Sequence, residues 1–90
     1  MDDSELAHQQ QATRDENVRL VLITMTALED FYSTSAVHIR LWKRYDFARD
    51  LLEKLFAKAQ TDNMSSRWLR EQLLKIWEYA TIEAIEGLEK

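Results

Sequence analysis

From Val18 to Tyr32 the chain reads VRLVLITMTALEDFY, and few of its positions offer a polar side. At about 100° per residue, Val18, Val21, Leu22, Met25, Leu28 and Tyr32 share one face, while Leu20, Ile23, Ala27 and Phe31 share another nearly opposite. Arg19, Thr26, Glu29 and Asp30 supply a polar seam. A surface helix shows a single apolar stripe, so a helix apolar on two sides belongs in a core or in an oligomer interface. The pattern predicts a first helix over about residues 13–32. Val21, Met25, Ala27, Leu28 and Phe31 are expected where two copies of the chain meet. Arg19 and the Glu29-Asp30 pair bracket a run too short to cross a bilayer.

Two more periodic stretches follow. Leu41, Tyr45, Ala48, Leu52, Leu55 and Ala59 recur at alternating spacings of four and three, a heptad seam on a second helix over about residues 36–60. Phe47, Leu51 and Phe56 broaden it to the face of a bundle helix. Arg49 with Glu53 and Asp50 with Lys54 stand one turn apart as solvated pairs. Leu69, Leu73, Ile76, Ala80, Ala84 and Leu88 define the face of a third helix over about residues 66–88. Trp68, Gln72, Lys75, Tyr79, Ile82 and Glu86 form a second line outside that face.

Boundary signals agree with three helices. Thr13 with Glu16 reads as a capping box. Ser33-Thr34-Ser35 suits a break, and in Thr61 to Ser65 Asn63 suits a left-handed stop before a serine cap at Ser65 or Ser66. Residues 1–12, with few apolar groups and a glutamine run, read as a flexible arm, leaving 13–90 as a single helical domain. Acidic residues close the chain, which opposes the helix dipole and predicts a frayed last turn.

Composition narrows the class. Among 90 residues there is no proline, no cysteine and one glycine, so strand turns, disulfides, thiolate nucleophiles and zinc-thiolate sites are not expected. The predicted architecture is an all-α three-helix chain, a short antiparallel bundle assembled as a homodimer, since a domain this small buries only about 60% of its unfolded surface. A net charge of −4 disfavours general affinity for nucleic-acid phosphates or anionic lipid. No signal peptide is evident, which predicts a cytoplasmic location.

Candidate chemistry is sparse. His8 and His38 lack a partner at metal-binding spacing, the serines sit where caps are needed, and no glycine-rich turn is present to cradle phosphate. No cofactor, metal or catalytic residue is therefore expected. Arg40, Lys43 and Arg44, within RLWKRYDFAR, make the one basic and aromatic stretch, suited to a protein partner or, as the alternative, to nucleic acid. Trp68, Lys75, Tyr79 and Ile82, outside the third helix's main face, are residue types that anchor interfaces.

The segments RDLLEKLFAKAQ, from Arg49, and LLKIWEYATIEA resemble in hydrophobic rhythm the second and third helices of small all-helical chorismate mutases of the AroQ type, which are intertwined dimers. The resemblance covers about half the chain. It implies charged site residues among Lys43, Asp46, Arg49 and Asp50. The serine and glutamine of that family's third helix correspond to Ala80 and Ala84, and the first helix has Asp15 and Tyr32 where that family projects cations. The function expected from the whole sequence is a small non-enzymatic interaction module: a regulator, adaptor or inhibitor that masks a surface of a larger protein.

Overall fold

The computed structural model describes residues 3–35 and 39–83. Three helices, α1 (Asp3–Thr34), α2 (Trp42–Thr61) and α3 (Ser66–Ala80), account for most of them, with a 3-10 turn at Ile39–Leu41 before α2. No strand occurs among the described residues, and none of their helices is long and apolar enough to cross a membrane.

Contacts far apart in sequence set the topology. Asn17, midway along α1, meets Met64 and Ser66 at the α2–α3 loop, whereas Tyr32, near the end of α1, meets the end of α3 at Ala80. Helices α1 and α3 therefore run parallel, with α2 antiparallel to both. The core is the set predicted from periodicity on α2 and α3: Ala48 and Leu52 from the former, Leu69, Leu73, Ile76 and Ala80 from the latter, closed by Val21, Leu28 and Tyr32 of α1. Small residues at Ala48 and Ala80, both fully buried, let neighbouring helices approach closely. The expected pairs Arg49–Glu53 and Asp50–Lys54 form at 3.3 and 3.0 Å.

The boundaries differ in detail. Helix α1 begins at Asp3, ten residues before the Thr13 capping box; the Thr13 hydroxyl instead donates to the Gln9 carbonyl at 3.0 Å, one turn back inside the same helix. Residues 4–9 of this extension are exposed, so it is helix without tertiary burial. The break after Thr34 falls where the hydroxyl cluster placed it. Helix α2 starts later than expected, at Trp42. Asn63 does not take the left-handed conformation, since no described residue has positive φ. Helix α2 stops at Asp62 in extended backbone, and the Asn63 side chain accepts a bond from Arg14 at 2.8 Å. Ser65 caps α3, accepting from the Trp68 amide. His38, Ala84, Leu88 and the acidic close of the chain lie outside the described residues.

Candidate protein-docking groove

Phe47, Leu51, Lys54, Leu55 and Lys58 lie on α2 at offsets of four, seven, eight and eleven, so they occupy one side of that helix. Trp68, Gln72, Lys75, Ile76 and Tyr79 repeat the same offsets on α3. Because the two helices run antiparallel, the two stripes face each other along a groove of about 490 Å³. Phe47 and Tyr79 close one end edge to face, with ring centroids 5.7 Å apart. Trp68 stands toward the other end, in the first turn of α3. Leu51, Leu55 and Ile76 supply an aliphatic floor.

Its charge is one-sided. Lys54, Lys58 and Lys75 line the groove and no carboxylate does, although the chain as a whole carries −4. Lys54 is paired with Asp50, whereas Lys58 and Lys75 form no ion pair among the described residues. The apolar groups are left uncovered: Phe47 is 54% and Trp68 43% exposed. A fourth cation shapes the end of the groove, since the Arg44 guanidinium lies 4.6 Å from the Tyr79 ring centroid. It also donates to the Tyr79 carbonyl at 3.0 Å and reaches Glu83 at 3.6 Å.

Of the residues singled out on the third helix, the structure brings Trp68, Lys75 and Tyr79 into this groove and leaves Ile82 half exposed beyond it. The α2 half was missed. In the sequence pattern Phe47 and Leu51 look like a widening of the core stripe and Lys54 like a solvated-face residue. The shared offsets on the two helices are the signal that could have found them. Of the basic stretch, Lys43 is exposed, Arg44 is held against Tyr79 and Glu83, and the Arg40 side chain lies outside the described residues.

The five residues expected where two copies meet divide between the inside and the outside of the single chain. Val21 and Leu28 are buried in the chain's own core, and Met25 and Phe31 pack against it, because α2 and α3 both settle on that side of α1. Ala27 alone of the five stays exposed, beside Leu22 and Ile23, which are 45% and 58% exposed.

None of Lys43, Asp46, Arg49 and Asp50 lines the groove. Arg49 binds Glu29 at 2.8 Å, Glu53 at 3.3 Å and the Tyr45 hydroxyl at 2.8 Å, and these bonds raise its pKa further. The described residues hold no group of three His, Cys, Asp or Glu side chains able to grip a metal. No protein-family model matches the chain, and no curated protein or solved structure shows significant similarity to it.

Proposed function

We propose that the chain is a small, non-enzymatic interaction module: a regulator, adaptor or inhibitor that seats an amphipathic helix of a larger protein in the α2–α3 groove and so masks it. The observation that carries this reading is the groove's composition, an aliphatic floor between aromatic ends with lysines and no carboxylate along it. An amphipathic helix lays its apolar side into such a groove through anchors at i, i+4 and i+7. Lysines on the rim select a segment whose apolar stripe is flanked by glutamate or aspartate, and they speed its encounter. Tryptophan and tyrosine are the residues that most often dominate binding energy.

The test uses three fluorescent probes: a helical peptide with leucine and phenylalanine anchors flanked by glutamate, its lysine-flanked twin, and a single-stranded oligonucleotide. The glutamate peptide should bind in the micromolar range and weaken with salt. Trp68→Ala and Tyr79→Ala should each cost about 2 kcal/mol of that binding. Because Trp68 is 43% exposed, its replacement should leave the melting temperature nearly unchanged. Failure of the glutamate peptide to bind, or indifference to both substitutions, would sink the reading. Tighter binding of the oligonucleotide would move the function to nucleic acid.

A further inference from the structure

A second surface, on α1, is independent of the groove. Arg19, Leu22, Ile23, Thr26, Ala27 and Asp30 line one shallow depression, and Ile23 and Ala27 continue into a neighbouring one shared with Leu74 and Trp77 of α3. Arg19 and Asp30 are eleven residues apart, so they lie about 16 Å apart along the axis and within about 20° of the same side. Neither forms an ion pair among the described residues, whereas Glu29, one position away, is taken by Arg49 at 2.8 Å. The stripe thus has a cation at one end, an anion at the other, and Leu22, Ile23 and Ala27 between them.

We infer that this stripe docks a second copy of the chain, antiparallel, across a two-fold axis near Thr24 and Met25. A two-fold interface uses the same patch twice and must match itself when reversed. This one does: reversal brings Arg19 opposite Asp30 of the other copy at both ends, Leu22 opposite Ala27, and Ile23 opposite Thr26. A parallel pairing instead sets Arg19 against Arg19 and Asp30 against Asp30, which like-charge repulsion disfavours. Leu74, 57% exposed, and Trp77 flank the stripe, so each incoming α1 also meets the edge of α3. Two α1 and two α3 helices then form a four-helix layer, and the apolar side of α1 that its own chain leaves open is covered.

The experiment is a charge swap read by analytical ultracentrifugation at about 100 µM chain, since dimer population depends on concentration. The wild-type chain should sediment as a dimer of its 10.7 kDa unit. Arg19→Asp alone and Asp30→Arg alone each place like charges across both ends and should weaken the dimer about tenfold or more. Mixing the two single variants pairs opposite charges at both ends and should restore a dimer. The double variant R19D/D30R should also dimerise, and both arms report on folded chains through restored association. A wild-type monomer at this concentration would overturn the inference, as would single variants that dimerise undiminished or a mixture that stays monomeric.

Discussion

Tyr32 joins the end of α1 to both other helices. It is buried, its hydroxyl donates to the Ala80 carbonyl at 2.7 Å, and its ring meets those of Phe31, Trp42 and Tyr45 at centroid distances of 5.6, 5.3 and 5.1 Å. Tyr32→Phe keeps the rings but removes the hydroxyl's bond to the Ala80 carbonyl, so it should cost about 1–2 kcal/mol near pH 7, measured by urea denaturation. Burial raises the Tyr32 pKa above 10.0, partly offset by the nearby Arg44 charge. The sign follows: the unfolded phenol ionises first, so this stabilisation is complete below pH 10 and is lost as pH rises through the folded value. Melting temperatures measured from pH 8 upward should show the gap between wild type and Tyr32→Phe narrowing above pH 10. Asn17 is the counterpart at the other end. Fully buried, it donates to the Met64 carbonyl at 3.0 Å and accepts from the Ser66 hydroxyl at 2.8 Å. Asn17→Ala leaves both without a partner and should lower stability by about 2–3 kcal/mol, with the denaturant midpoint falling at constant slope. Nothing in sequence spacing marks Asn17, because a polar residue ahead of an apolar run looks the same whether it faces water or clamps a loop.

At the scale of the element, α2 and α3 were legible because each buries one side, and one-sided burial leaves spacings of three and four. Ala48, Leu52, Ala59, Leu69, Leu73, Ile76 and Ala80 are all buried where that rhythm puts them. Helix α1 was only half legible. Its two apolar faces follow from the wheel, but the wheel does not say which neighbour takes which face, and Val21 and Leu28 proved to serve the chain's own core rather than its outside. Its early start at Asp3 left no pattern either, since an exposed helical extension buries nothing that could impose a period. The groove was readable on α3, where Trp68, Lys75 and Tyr79 stood outside the core stripe. It was unreadable on α2, where Phe47 and Leu51 adjoin the core stripe and look like part of it.

For the whole molecule, the two proposed surfaces divide α3 between them. Trp68, Gln72, Lys75 and Tyr79 line the groove, and Leu74 and Trp77 line the depression beside α1. At about 100° per residue the latter pair points more than 90° away from the former set. Pairing of two chains through α1 therefore leaves both grooves open, and they carry the exposed lysines away from the Arg19–Asp30 contacts. Titration of the glutamate-flanked peptide by calorimetry should give one peptide per chain for both the wild-type dimer and the Arg19→Asp monomer, with affinities agreeing within about twofold, because sites that share no partner residues behave additively. Adding salt should weaken peptide binding in both forms alike, since the lysines that attract the peptide are the same in each. A peptide that bound the dimer but not the Arg19→Asp monomer would place its site across the two-fold axis, joining two surfaces that the fold keeps on opposite sides of α3.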